Sequence, residues 1–451
     1  RVLFRSGSLV GVLTGDTVTL TQAGTFASVN VGTAIAVTAN DSIGGVSANN
    51  YMLTQPTGLS GDITAKALTV SGTNVANKTY SGTNTASLSG GSLVGVIPGD
   101  TVTLTQAGTF ASVNASSNPI TVTAADSLGG SSASNYTLTQ PTGLSAYINK
   151  ANATVTASSS SVTYTGLAQS VNGFTATGLV NSETVAVLTG VSTSGGSGTN
   201  VGTYASTASG TDSNYNLTFV PGSLTIGKAP LTVALSSQTK VYDGTNTASI
   251  ANGSFTLTGF VSGEGGTVTQ TQGSYNSANV VGATTVTASL VAGNYSATNG
   301  TLLSNYELPT SAQGTGSITP ARLSVTGTKT YDGLSSFDAT GLTVAGVNGE
   351  TFAASGSGTM GSKNVQTNQP LASTAGLSLS GNNGALTSNY VALATSDTQV
   401  SVTPLAVNLS APSASKTYDS TTLYQVSASE LTSLSSQLVG TDRVTAAEVV
   451  F

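Results

Sequence analysis

Cysteine, histidine and tryptophan are all absent from the 451 residues, and charge is scarce, with only 12 Lys and Arg and 18 Asp and Glu. Each absence closes a class of function. Without Cys there is no disulfide framework and no thiolate metal site. A chain free of Cys also suits export in the unfolded state through an oxidising compartment. Without His, general acid–base catalysis falls to paired carboxylates; the acids are spread thinly and no pair recurs, so no catalytic residue is expected. A net charge of −6 opposes nucleic-acid binding, which rests on Lys and Arg neutralising phosphates. No run of about 20 apolar residues exists to cross a membrane as a helix. The low charge does not make the chain disordered, because disordered chains are poor in β-branched residues and this one is rich in Val and Thr.

What is present favours strands and turns. Ser, Thr, Gly, Val and Asn dominate, β-branched residues fit pleated surfaces, and Gly and Asn supply left-handed turn positions. No stretch shows a 3.6-residue apolar period. "DTVTLT" at 100–105 and "ITVTA" at 120–124 alternate as strands do, and "NYNLTFVPGSLTIGK" at 214–228 reads as two strands hinged at Pro221-Gly222, a hairpin signal.

The chain repeats itself. "GSLVGVLTGDTVTLTQAGTFASVN" from Gly7 returns almost unchanged from Gly91, an offset of 84 residues. More loosely, a first tyrosine recurs at Tyr80, Tyr164, Tyr242, Tyr331 and Tyr418, and a second, preceded by Asn, at Tyr51, Tyr136, Tyr215, Tyr306 and Tyr390. Joints such as "ITAKALTV", "INKANATV", "TIGKAPLTV" and "ITPARLSV" separate the units. A period near 84 exceeds the coil of a solenoid and matches a small domain. The expected divisions are a partial repeat at 1–65, repeats at 66–149, 150–227, 228–320 and 321–403, and a partial repeat at 404–451. Residues 1–6, "RVLFRS", break the pattern and read as a non-native scar on a segment of something longer.

The expected fold is all-β: a tandem, rod-shaped array of small antiparallel β-domains. An immunoglobulin-like sandwich is favoured, with a β-grasp-like topology as the alternative. With strands near 20 Å plus loops, such an array would span on the order of 150–200 Å.

Around the first tyrosine stand "KTYSGT", "VTYTGL", "KVYDGT", "KTYDGL" and "KTYDST". Turn formers replace one another after the tyrosine, which a catalytic Asp would not survive, so Asp243-Gly244 reads as a tight hairpin turn. These units resemble the YDG domain. The unit at 150–227, with "YTG", "GLVNSETV", "NVGTYAST" and "NYNLTFVPGSLTI", resembles the related MBG domain, though Val162 replaces the Lys. The resemblance implies a segment of a large bacterial surface or secreted adhesin of the filamentous-haemagglutinin type, acting as a spacer. A carbohydrate- or host-protein-binding module is the alternative. Host or matrix ligands would then engage other parts of the full-length protein, and no enzyme, cofactor or metal is implied.

Other motifs yield to simpler readings. "GSGTMG" at 356–361 lacks the helix that a dinucleotide fingerprint needs and reads as a Gly-rich loop. In "GSLTIGKA" at 222–229 the middle alternates as a strand, and Ala229 stands where a phosphate loop needs Ser or Thr. Asp41, Asp126 and Asp212 offer one carboxylate each, too few for calcium, and fit Asx-turns. Lys240, Lys329 and Lys416 with Asn305 and Asn389 invite a Lys–Asn crosslink, but no acid stands at a fixed place between them. Edge-strand protection is the reading kept for these lysines. The second tyrosines are expected to be buried with the hydroxyl bonded to backbone, as in a tyrosine corner.

Overall fold

The computed structural model describes residues 7–408, 410 and 413–450; the expected scar at 1–6 lies outside them. The described chain is strands, turns and short 3-10 segments. The sheets are mostly antiparallel, as the composition implies. No helix among the described residues is long and apolar enough to cross a membrane. One α-helix, Ala428–Ser435, was not expected. Its signal was local rather than periodic: Ser427 caps the helix and Glu430 bonds back to it, a capping box written "SASE".

The chain divides into two compact units. One holds the residues up to Val162 with Ala168–Ile226; the other holds Thr163–Leu167 with the residues from Gly227 onward. Among the described residues, no sheet joins strands across Lys66, Lys150, Lys228, Ala321 or Pro404. Apolar packing does cross some of these joints. In the first unit one buried cluster runs from Tyr80 to Tyr215, and in the second another runs from Leu235 to Tyr390.

Parallel pairing of early and late strands, which the antiparallel expectation did not include, recurs in each repeat. The start of the first strand lies beside the second tyrosine, pairing Lys66 with Tyr136, Ala151 with Tyr215, Ala229 with Tyr306 and Ala321 with Tyr390. Further on, the lysine before the first tyrosine lies beside the final strand: Lys78 with Ile148, Lys240 with Ile318, Lys329 with Val402. The mixed ladder is a trait of the β-grasp alternative. The favoured reading missed it because parallel strands usually show continuous apolar runs, whereas "KALTVS" alternates.

The 228–320 repeat shows what the YDG turn connects. Its five-stranded sheet runs in the order Gln238–Val241, Ser311–Thr319, Thr285–Ser289, Gln272–Tyr275, Thr247–Ser249. The turn at 242–246 therefore links the two edges of one sheet, not neighbours in a hairpin. Because the link is folded, the sheet curls to bring its edges to it.

Two further expectations change. "GSGTMG" is not a loop but lies mainly in the ten-residue strand Thr351–Met360. Pro221-Gly222 makes no hairpin: Tyr215–Val220 pairs with Ala151–Ala157, while Gly222–Gly227 pairs with Gly202–Gly210. The chain steps from one sheet to another there. A Cβ on Gly222 would lie 2.4 Å from the carbonyl oxygens of Ala157 and Ser158, so only glycine fits the crossing.

Candidate functional site

The residues that recur in sequence meet in space at one recurring place. It begins with a β-turn whose fourth residue is acidic. The amide of that residue donates to the carbonyl three residues back: Asp16 to Leu13, Asp100 to Ile97, Glu183 to Val180, Glu264 to Val261, Glu350 to Val347 and Asp442 to Val439. Left-handed residues make the bend, with φ +103° at Gly15, +87° at Gly263, +54° at Asn348 and +78° at Gly349.

The second tyrosine of the same repeat closes this turn. Its hydroxyl accepts from the amide of the turn's first residue, Ile97 to Tyr136 at 3.1 Å, Val180 to Tyr215 at 3.0 Å, Val261 to Tyr306 at 3.1 Å and Val347 to Tyr390 at 2.9 Å. It donates to the acid at the turn's end: Tyr136 to Asp100 at 2.5 Å, Tyr215 to Glu183 at 2.6 Å, Tyr306 to Glu264 at 2.7 Å, Tyr390 to Glu350 at 2.6 Å. Tyr51 treats Leu13 and Asp16 in the same way. The rings of Tyr136, Tyr215, Tyr306 and Tyr390 are buried. The expected tyrosine–backbone bond is present, and the carboxylate is an addition to it.

The first tyrosine of the preceding repeat then takes the carboxylate's other oxygen. Tyr80 donates to Glu183 at 2.5 Å, Tyr242 donates to Glu350 at 2.5 Å, and Tyr164 donates to Glu264. At Asp442 the donor is Tyr331, with Lys363 3.1 Å away. In three clasps the two rings stack edge to face, Tyr80 on Tyr215 and Tyr164 on Tyr306 at 5.4 Å, Tyr242 on Tyr390 at 5.5 Å. One carboxylate thus holds two tyrosines contributed by consecutive repeats, and both hydroxyls are locked as donors.

Electrostatics follow from this. Burial, reinforced by the hydrogen bond to Glu183, pushes the Tyr215 hydroxyl up to about 12. Burial and Glu264 push Tyr306, and burial and Glu350 push Tyr242, to the same value. Tyr80 and Tyr390 are raised for the same causes, burial first. A tyrosinate here would face a carboxylate in a poorly hydrated place. These hydroxyls are therefore suited to holding a structure and unsuited to acting as bases.

A second contact accompanies the clasp. The Asn before the second tyrosine reaches a loop of the preceding repeat. Asn135 accepts from the Val31 amide at 2.9 Å and donates to Asn30 at 3.0 Å. Asn214 does the same with Ala115 and Asn114, and Asn389 with Val280 and Asn279. The motif "NY" is thus a two-residue contact with the preceding repeat.

The lysines stiffen the turn that presents the first tyrosine. Lys240 Nζ donates to Asp243 at 2.6 Å and to the Thr245 carbonyl at 2.8 Å. Lys329 holds Asp332 and the carbonyls of Leu334 and Ser336, and Lys416 holds Asp419 and the carbonyls of Thr421 and Leu423. Their ammonium groups bond within the turn, and Lys329 also reaches the first carbonyl of the edge strand Ser336–Asp338, so turn and edge are held together; Asn389 bonds elsewhere. The glycine of the motif is left-handed, φ +79° at Gly244. It also faces the next repeat: a Cβ on Gly244 would lie 2.8 Å from Cβ of Asn348, and one on Gly82 2.7 Å from Cβ of Asn181.

Of the isolated acids, Asp212 forms the expected Asx-turn, accepting from the amides of Asn214 and Tyr215. Asp41 and Asp126 instead accept from Ala23 and Ala107, whose amides lie on a neighbouring segment. Among the described residues no group of three or more acids is placed to hold a metal ion.

The acid of the clasp corrects the reading that no acid recurs at a fixed place. It stands in "TGDTV", "PGDTV", "NSETV", "SGEGGTV", "NGETF" and "GTDRV". An acid directly after turn formers, and in most copies before Thr, was the available signal.

Residues 3–58, 64–143, 227–314 and 316–399 match the YDG domain, and 153–225 match the MBG domain of YGX type. The chain belongs to the YDG domain family. No curated protein matches it significantly. YDG and MBG domains are repeat domains of adhesin-like proteins, and neither family is enzymatic. The Tyr-Asp-Gly after which a YDG domain can be described is, in this chain, the half of the clasp that one repeat offers to the next.

Proposed function

We propose that this YDG segment is a spacer in a bacterial surface or secreted adhesin, carrying a distal binding region away from the cell. The observation behind this reading is the clasp. The same carboxylate, tyrosine pair and turn recur where consecutive repeats meet, at Glu183, Glu264 and Glu350. A chain that invests its recurring residues in joining repeats is built to fix one repeat against the next. Each clasp carboxylate has both oxygens taken by tyrosine hydroxyls whose rings are buried, which leaves these groups no ligand to recognise.

The test is made in the full-length protein on cells. Excising residues 228–403 should leave ligand binding by the purified distal region unchanged while cell adhesion falls, and reinserting an unrelated rigid spacer should restore it. If the purified 451-residue chain itself binds host glycan or protein, or if adhesion ignores the excision, the segment is a binding module and not a spacer.

A further inference from the structure

We propose that the 321–403 repeat is a mechanical clamp, with its parallel ladder placed to carry tension along the chain in shear. The inference deepens the spacer reading, which gives it its biological meaning, but it concerns rupture forces that the isolated chain shows on its own.

The chain enters a repeat at the start of the first strand and leaves from the end of the last strand. In the 321–403 repeat those two strands are hydrogen-bonded side by side and point the same way; in the 228–320 repeat the last strand is bonded in the same sense to the early strand Gln238–Val241. In the 321–403 repeat, Ser324–Thr330 and Thr398–Thr403 pair in parallel from Val325–Thr398 through Thr330–Thr403. In the 150–227 repeat a ladder of the same kind, Ala151–Ala157 with Tyr215–Val220, runs parallel from Ala151–Tyr215 through Thr156–Val220, but the strand that leaves the repeat, Gly222–Gly227, lies in the other sheet. Pulling the first strand backward and the last strand forward slides one along the other. Every bond of the ladder is then strained at once, because parallel bonds are evenly spaced along the strands. Had entry and exit strands been antiparallel neighbours, the same pull would peel bonds one at a time from one end.

The load has no soft route around the ladder. The last strand of one repeat runs almost directly into the first of the next: Ile148–Asn149 is followed after one residue by Ala151–Ala157. In the 321–403 repeat the first strand is flanked on its other side by Leu342–Ala345, so it lies inside the sheet. Behind the ladder, Val325, Val400 and Val402 are buried, so sliding must also break apolar packing.

The chain's lack of Cys allows the geometry to be tested with attachment points placed at will. In the full 451-residue protein, handles on Ser324→Cys and Thr403→Cys load the ladder in shear. Handles on Thr330→Cys and Thr403→Cys, which are register partners, peel the same ladder from one end. These positions are exposed, and unchanged thermal melting will verify that each variant folds. At one loading rate the shear pair should rupture at no less than about twice the force of the peeling pair, because about six bonds share the load rather than one or two. The pairs Asn152→Cys with Val220→Cys, and Thr156→Cys with Val220→Cys, repeat the comparison in the 150–227 repeat and serve if a variant of the first set misfolds. A shear force below twice the peeling force overturns the clamp. That outcome leaves the spacer reading standing, since the excision experiment alone decides it.

Discussion

Glu350 shows how much one side chain does in this molecule. Its two oxygens accept from Tyr242 and Tyr390, whose hydroxyls belong to consecutive repeats. A hydrogen bond to a charged acceptor contributes about 1.5–3 kcal/mol, and an edge-to-face ring pair adds about 0.5–1.5 kcal/mol. Tyr242→Phe removes one donor and keeps the ring, and should cost about 1.5–2 kcal/mol, at the low end of that hydrogen-bond range. Tyr390→Phe should cost more, because it also orphans the Val347 amide. Urea unfolding of the two single variants and the double variant measures both effects. Additive costs would mean that the hydroxyls do not share the carboxylate, since groups in one network couple. Alkali acts on the same atoms. The Tyr215, Tyr242 and Tyr306 hydroxyls are raised to about 12, against about 10 in an unfolded chain. The folded state disfavours tyrosinate, so these groups contribute fully below about pH 10 and their contribution drains away as pH rises toward 12. Stability followed by circular dichroism, with ionisation followed by tyrosinate absorbance, should fall across that window; a flat profile would remove burial and the carboxylates as causes. The tyrosines were legible in the sequence because they recur as the same residue. The acid was not, because it is Asp in some repeats and Glu in others. Its outer partner also lies far back in sequence, 108 residues away for Tyr242 and Glu350. A repeat compared only with itself hides a contact made with its neighbour.

At the scale of elements, the tight turn of the Tyr-Asp-Gly motif was legible and its connection was not. Asp-Gly between alternating segments signals a hairpin, yet here the two segments are the opposite edges of a curled sheet. The turn residues fix only the local bend; which strands pair is decided by burial of the whole sheet, and period-two alternation looks alike in parallel and antiparallel ladders. The glycine offers a separation of causes. Gly244→Ala meets both a left-handed backbone and Asn348, whereas a Cβ on Gly333, φ +76°, would find nothing nearer than the Val439 carbonyl oxygen at 3.5 Å. Both variants should lose the backbone part, of order 1–3 kcal/mol with the packing strain included, and Gly244→Ala should lose more. Adding Asn348→Gly should recover the excess at 244. Equal losses at 244 and 333, or no recovery, would show that the close approach to Asn348 carries no weight. The strands also differ in protection. Ser324–Thr330 lies inside a wide sheet, while among the described residues Leu423–Gln425 pairs only with Glu448–Val450. Amides of the former should exchange near the global unfolding limit and those of the latter much faster.

For the molecule as a whole, the tandem plan was legible because duplication left near-identical copies, and because β-branched residues, turn formers and missing helical periods all point to strands. Independence of the repeats was the natural corollary, since stability in an array is close to a sum of local and neighbour terms. In the second unit the neighbour term is large. Sheets stop at Ala321, but one buried cluster extends from Leu235 and Tyr242 through Val325 and Phe352 to Tyr390, and Glu350 binds it from both sides. Sheet pairing and apolar packing thus obey different boundaries, the first closing each repeat and the second continuing past the joint. The consequence is cooperative loss. Glu350→Gln keeps the size of the side chain but weakens both tyrosine bonds, which are strong because the acceptor is ionised. Hydrogen exchange read peptide by peptide should then show reduced protection in 228–320 as well as in 321–403, although the substitution lies only in the latter. Tyr242→Phe should give the mirror result, loosening 321–403 from a change made in 228–320. If protection falls only in the repeat that carries the substitution, the repeats are independent after all and the clasp is a surface contact of little energy.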